Sequence, residues 1–144
     1  MNVSDVLLIE RACERLIVDS ATFNDRRQWA ALAGLYTPGG VVVRPNGQRL
    51  EGREAIEAAY ASGSSDRVTR HLCANVRVEV DDADSAHATT VVLIVSGTRS
   101  DDADATFGVV PNDRHTVGEF ADTFVRTADG WRIAERRASL VMNT

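Results

Sequence analysis

The chain has 144 residues, 44% of them hydrophobic, with 21 acidic against 16 basic residues and a formal net charge of −5. That length suits one α+β domain spanning 1–144, and folding at this size buries roughly 70% of the unfolded surface, enough for a core with a pocket in it. The acidic balance, with no basic stripe, argues against nucleic-acid binding, and because all 16 basic residues are Arg, Schiff-base or nucleophile chemistry at a lysine is excluded.

Ser4 is the expected N-cap of the first element, with Asp5 in the first turn, where negative charge is favoured. Val6, Ile9, Cys13, Leu16, Ile17 and Ser20 recur at helical spacing and predict a long amphipathic helix ending near Phe23. Asp25 and Gln28 have the spacing of a capping box for a second helix carrying Trp29, Leu32 and Leu35. That helix should stop at Thr37-Pro38-Gly39-Gly40, because Pro38 biases its predecessor away from helix and the glycines break it.

A short buried strand follows at Val41-Val42-Val43, then a turn at Pro45-Asn46-Gly47. Gly52 precedes a short helix from Arg53 to about Ala61, and Gly63 to Asp66 is a loop. The period then changes from 3.6 to 2, with Leu72, Ala74, Val76, Val78 and Val80 alternating with His71, Cys73, Asn75, Arg77 and Glu79. After a turn at 81–84, a strand is expected over 86–97. A polar loop covers 99–113, a further strand 116–127, and a tight Asp129-Gly130 turn leads into the last strand, 131–142. Helices set apart from an antiparallel meander imply helices packed on one face of a curved, mostly antiparallel sheet.

Cys13 and Cys73 have no redox or metal-ligand spacing and read as small buried hydrophobes. No metal or cofactor is expected. The N-terminus lacks a signal-peptide pattern and no apolar run approaches the roughly 20 residues of a membrane span, so a cytoplasmic location is the expectation.

Three residues carry the functional reading: Asp25 in FNDRRQWAAL, His71 in TRHLCANVRVEV and Arg136 in DGWRIAERR. An imidazole is the usual base near neutral pH, a carboxylate on its other nitrogen fixes the tautomer, and a guanidinium can hold developing negative charge. Each also has a simpler reading. Asp25 can serve as a helix cap. His71 can be a half-buried strand residue, and simple alternation places it opposite Leu72, Ala74 and Val76, so a bulge would be needed to turn it inward. Arg136 shares a face with Ala134, Ala138 and Leu140, while Arg137 must face the other way. His87 reads as solvated, and His115 as a candidate for the pocket mouth. Asp101, Asp102 and Asp104 lack the EF-hand pattern and read as an exposed loop or a lid.

The element order and these three segments together resemble the SnoaL-like group of the nuclear-transport-factor-two superfamily over nearly the whole chain. The resemblance implies a cone in which a bent sheet wraps a deep pocket under the long helix. It matches Asp25 and His71 to the carboxylate–histidine dyad of scytalone-dehydratase-like and hexachlorocyclohexane-dehydrochlorinase-like members, and Arg136 to a pocket arginine. It departs at Ser20, where those enzymes carry Lys or Tyr, at Asn24, where scytalone dehydratase has Tyr, and near Ser96, where its second histidine falls. Ser20, Asn24, Trp29, Ser96 and Phe120 are the candidate substrate-binding residues, although Trp29 and Trp131 also read simply as core anchors. The function so implied is a cofactor-independent lyase or isomerase acting on a small, largely apolar molecule. The alternatives are a non-catalytic binding cone or an accessory small subunit of a ring-hydroxylating dioxygenase type. The apolar residues on both faces of the last strands suggest a homodimer or other homo-oligomer. No membrane or nucleic-acid partner is expected.

Overall fold

The computed structural model describes residues 1–102 and 104–144; position 103 of the expected 99–113 loop lies outside the described residues. The first helix, α1 (Val3–Asp25), is capped by Asn2 rather than Ser4. The Asn2 side chain accepts from the Asp5 N–H at 2.9 Å, and the Asp5 carboxylate accepts from the Asn2 N–H at 3.3 Å. Two reciprocal bonds satisfy two free N–H groups at once, which moves the start of the helix ahead of Ser4. Its buried face is Ile9, Cys13, Leu16, Ile17, Ser20 and Ala21, close to the periodic face of the sequence.

The expected capping box at Asp25 does not form. Asp25 is the last residue of α1, and α2 (Trp29–Gly34) is preceded by Gln28, which makes no side-chain cap bond. The reversal between the helices is made by Arg27, whose φ is 57°, with the Gln28 N–H bonded to the Phe23 carbonyl. The Asp25 carboxylate is thereby free for tertiary bonding.

The strand β1 (Tyr36–Val43) starts earlier than expected and contains the Pro-Gly-Gly segment. That segment forms an irregularity: Tyr36 pairs with Ile133 and Val41 with Glu135 on the last strand, so the intervening residues of β1 are looped out. Gly40 allows this, since a Cβ there would lie 2.8 Å from that of Tyr36. The hairpin partner β2 (Arg49–Glu51), then α3 (Arg53–Ala61), follow.

The remaining strands are β3 (Arg67–Val80), β4 (Ser85–Arg99), a short β5 (Val109–Pro111) inside the expected polar loop, β6 (Thr116–Thr127) and β7 (Gly130–Asn143). The sheet order is β2-β1-β7-β6-β4-β3, with β5 on β4. Among the described residues only β1 and β7 pair in parallel; the other pairs are antiparallel. Among the described residues, three helices and one open, curved sheet make the α+β cone expected from the sequence.

The bulges decide what faces inward. In β3, Ala74 pairs with Val91 but Arg77 with Thr89, so β3 carries one extra residue. Asn75 sits there with φ 49°, a region that Asn tolerates better than most residues. The alternation therefore flips: Thr69, His71 and Cys73 point in before the bulge, and Val76, Val78 and Val80 after it, while Leu72 is 51% exposed. Leu72 and Ala74, expected inside, are outside. In β7, Ile133 pairs with Phe124 and Glu135 with Thr123, so Ala134 is the extra residue there. Inward positions pass from Trp131 and Ile133 to Arg136 and Ala138, and the expected alignment of Ala134 with Arg136 is broken.

The core occupies one end of the cone. There Ile9, Cys13, Ile17, Phe124, Trp131 and Ile133 interlock with Val78 and Val80 against them. At the other end, the same helix and strands diverge around a cavity of about 350 Å³. Among the described residues no helix is long and apolar enough to cross a membrane.

Candidate active site

The last turn of α1 and the first half of β3 form one wall of the cavity. Asp25, at the end of α1, receives three hydrogen bonds from β3. The Thr69 hydroxyl donates to Oδ1 at 3.0 Å, the His71 backbone N–H donates to Oδ2 at 2.9 Å, and His71 Nδ1 lies 2.5 Å from Oδ1. Both side chains of the dyad are only 11% exposed. Partial burial works to raise the pKa of Asp25, but the bonds from the His71 ring, its backbone N–H and Thr69 outweigh it and hold the carboxyl below its ordinary value. The carboxylate is ionised through the neutral range. With Nδ1 directed at Asp25, the neutral imidazole keeps its proton on Nδ1 and its free lone pair on Nε2.

Arg136 lines the floor of the cavity and is held from behind in a buried ion pair. Asp122 and Arg136 are cross-strand partners on β6 and β7, and the pair is bidentate: Nε donates to Oδ1 at 2.7 Å and Nη2 to Oδ2 at 2.8 Å. Nη1 donates to the Ser20 hydroxyl at 2.9 Å, and that hydroxyl donates to the Ile17 carbonyl at 2.6 Å. The Phe120 ring lies 4.1 Å from the guanidinium carbon. Burial acts against the charge on Arg136, but the adjoining carboxylate of Asp122 outweighs it, so the guanidinium holds its proton more tightly than an ordinary arginine. The charge expected to face a ligand is thus already compensated. A guanidinium has five N–H groups, and three are engaged here.

The opposite wall comes from α2, α3 and the β1–β2 hairpin. Trp29 and Tyr60 stack with centroids 6.3 Å apart. Arg27 lies over Trp29 at 5.2 Å and Arg44 over Tyr60 at 5.7 Å. Burial raises the phenol pKa of both Tyr36 and Tyr60, against a smaller opposing pull from Arg136, so both stay neutral hydrogen-bond donors. Cys13, beneath the floor, has its thiol pushed up to about 12 by burial and is inert; burial likewise raises Cys73.

Asp25, His71 and Arg136 therefore line one cavity, together with Ser20, Asn24, Trp29 and Phe120. Ser96 does not line it: it pairs with Thr69 one strand away, and its hydroxyl accepts from Asn112 at 2.8 Å. Trp131 is 9% exposed and belongs to the core, whereas Trp29 is a cavity-wall residue. His115 lies outside the lining, its backbone N–H donating to Thr144. His87 is 52% exposed and meets Asp81 at 2.9 Å. Asp101, Asp102 and Asp104 are exposed and away from the cavity. Among the described residues no three His, Cys, Asp or Glu side chains gather as a metal site.

Sequence reading missed Asp122, Thr69, Tyr36 and Tyr60. The signal for Asp122 was present, because Gly118, Phe120, Asp122 and Phe124 alternate cleanly with Glu119, Ala121 and Thr123. A carboxylate in register with two inward Phe residues must have a buried partner.

Residues 5–137 match the SnoaL-like domain family. The chain belongs to that family. No curated protein matches the sequence. Among solved structures, a scytalone-dehydratase-type protein from Novosphingobium aromaticivorans superposes with a TM-score of 0.83 at 22% identity, covering 99% of this chain and 91% of that one. A hexachlorocyclohexane dehydrochlorinase of type 3 from Novosphingobium barchaimii gives 0.82 at 16% identity, covering 99% and 93%. An NTF2-like protein with a cystatin-like fold, also from N. aromaticivorans, gives 0.74 at 26% identity, covering 94% and 84%. The SnoaL-like chain thus shares its cone with proteins named for eliminations and with one named only for its fold.

Proposed function

We propose that this SnoaL-like cone catalyses a cofactor-independent elimination or double-bond shift on a small molecule with an apolar body. The observation that carries the reading is the Asp25–His71 pair. Both N–H groups that β3 directs at Asp25 from His71 are bound, the ring is fixed in one orientation, and Nε2 is left as the acceptor on a side chain that lines the cavity.

In an elimination, Nε2 removes a proton from a carbon next to an electron-withdrawing group. The C–H electron pair becomes the new double bond, and the leaving group departs with its own pair. The imidazolium is stabilised by Asp25. The N–H groups of Arg136 not bound to Asp122 or Ser20 donate to the developing oxyanion. Such a donor needs no net charge to act, only a fixed position and a water-poor site. The neutral phenol of Tyr60 is the group we assign to protonating a departing hydroxide. It would take the place of the Lys or Tyr that the family's enzymes carry at Ser20 or Asn24.

The test is proton exchange in D₂O. Small cyclic ketones and β-hydroxy ketones, incubated with the protein, should gain deuterium at the acidic carbon or lose water, read by proton NMR. His71→Ala should slow this by roughly 10²–10⁴, the usual contribution of a positioned base. Equal rates in native protein and His71→Ala would exclude His71 as the base.

One observation favours a second reading, a binding cone without chemistry: the charge on Arg136 is spent on Asp122. In that case ligands would saturate the cavity with no exchange. We also infer that a second copy of the chain covers the outer face of the sheet, where Leu72 and Met142 are 51% and 58% exposed.

A further inference from the structure

We propose that the ligand of this cavity carries a small oxyanion on its apolar body, and that it is received by one of the two lining arginines whose N–H groups are least engaged, Arg44 or Arg67. The proposal rests on the reading that the cavity takes a small molecule, but not on the acid–base chemistry.

Charge distribution comes first. The chain has 21 acidic residues and 16 arginines, so a wall drawn at random would be acidic. The lining instead holds Arg27, Arg44, Arg67 and Arg136 against Asp25 alone. Arg136 is neutralised by Asp122. Among the described residues, none of Arg27, Arg44 and Arg67 has a carboxylate within ion-pair distance, although eight other carboxylate contacts along the chain engage Arg or His side chains other than Arg136. Three arginines without a carboxylate partner line one cavity, and an anion bound beside one of them supplies the missing countercharge.

Preorganisation comes second. Arg27, Trp29, Tyr60 and Arg44 form a continuous stack of guanidinium, indole, phenol and guanidinium. Arg27 is largely used, donating to the carbonyls of Ser64 at 3.1 Å and Gly63 at 3.5 Å. Among the described residues the Arg44 side chain donates only to Gln48, at 3.3 Å. A guanidinium stacked on a ring keeps its in-plane N–H groups available, and their fork matches a carboxylate or phosphate. Arg67 makes no side-chain bond among the described residues and lies two positions before Thr69 on β3.

Placement comes third. Arg67, Thr69 and His71 alternate along β3, so Arg67 sits about 13 Å along the strand from His71, at about 3.3 Å per residue. An anion held there stays clear of the Asp25 carboxylate. Its binding free energy can then position the reacting carbon without resting on it. The same lining carries the apolar side chains of Leu32, Val42, Val92, Ile94 and Phe120.

The test is calorimetric titration with 2-naphthoate, 2-naphthyl phosphate and neutral 2-naphthamide. At low salt at least one anion should bind about tenfold or more tightly than the amide, as charge-assisted hydrogen bonds require. The better anion identifies the group. The preference should shrink with added salt and fall towards unity in Arg44→Gln/Arg67→Gln, with circular dichroism unchanged. It should persist in Asp25→Asn, where the proposed proton transfer is impaired, so that loss of catalysis and loss of anion binding are read separately. Amide binding as tight as either anion, no saturable anion binding, or a preference untouched by the double substitution would overturn the proposal.

Discussion

At the scale of single residues, the site contains two carboxylates with different tasks. Asp25 is reached from the cavity and bound by three donors on β3; Asp122 is 0% exposed at its side chain and bound to one guanidinium. Removing either member of a buried pair leaves the other charge without a partner, which typically costs 3–5 kcal/mol, whereas replacing both with apolar groups is often neutral. Asp122→Ala should therefore lower the unfolding free energy by roughly 3–5 kcal/mol, and Arg136→Met by a similar amount. The double variant should lose much less than the sum. Urea unfolding of the four proteins measures this directly, and simple additivity would mean that the pair is not coupled. The same cycle separates the two tasks of Arg136. If it also holds a developing oxyanion, the double variant regains stability but not turnover.

At the scale of elements, the site depends on two inserted residues. Without the extra residue at Asn75, β3 would alternate without interruption, and His71 and Val78 could not both face inward. Deleting Asn75 should thus turn either the dyad or the Val76, Val78 and Val80 core row to the outer face. Because the core row buries more apolar surface, it should win, and His71 should leave Asp25. The readout is the His71 ring proton held at Asp25, seen by nitrogen-edited NMR: it should vanish in the deletion and survive in Asn75→Gly, which keeps the left-handed position. Persistence of that resonance in the deletion would mean that the bulge does not set the direction of His71.

These elements also show where sequence reading succeeds and stops. The faces of α1, the bounds of α3 and the whole of β6 follow from local periodicity, because each is regular and its partner lies on one side. The face of β3 did not, since Ala74 is small enough to fit either face and masks the flip at Asn75. Local rules offer Asp25 a capping role beside its role in a dyad; the bonds that decide against the cap come from residues 44 and 46 positions away. Asp25, His71 and Arg136 were legible as residue types in context. Their convergence, and the Asp122 that compensates one of them, depend on register between distant strands, which spacing along the chain does not encode.

At the scale of the whole molecule, the outer face of the sheet is ordered by rows. Leu72, Leu93, Val117 and Met142 are successive cross-strand partners on β3, β4, β6 and β7, an apolar line of about 14 Å at about 4.8 Å per strand. Two rows further along, Arg77, Thr89, Ala121 and Arg137 occupy the same face, followed by Glu79, His87, Thr123 and Glu135. The charged rows already satisfy themselves, Arg77 with Glu79 at 3.0 Å and Arg137 with Glu135 at 3.7 Å, and need no second chain. Among the described residues the apolar row has no such partner, and it lies over the cavity half of the cone, where the inner core is thinnest. A two-fold copy placed there would bury the row against itself, since a two-fold interface brings the same patch from both chains together. It would also stiffen the walls that carry His71 and Arg136. Light scattering should accordingly give twice the chain mass, and Leu72→Glu/Met142→Glu, which sets like charges against each other across the axis, should give the single-chain mass with the helix content retained. A native protein that scatters as one chain at every concentration would show that the row is left to solvent.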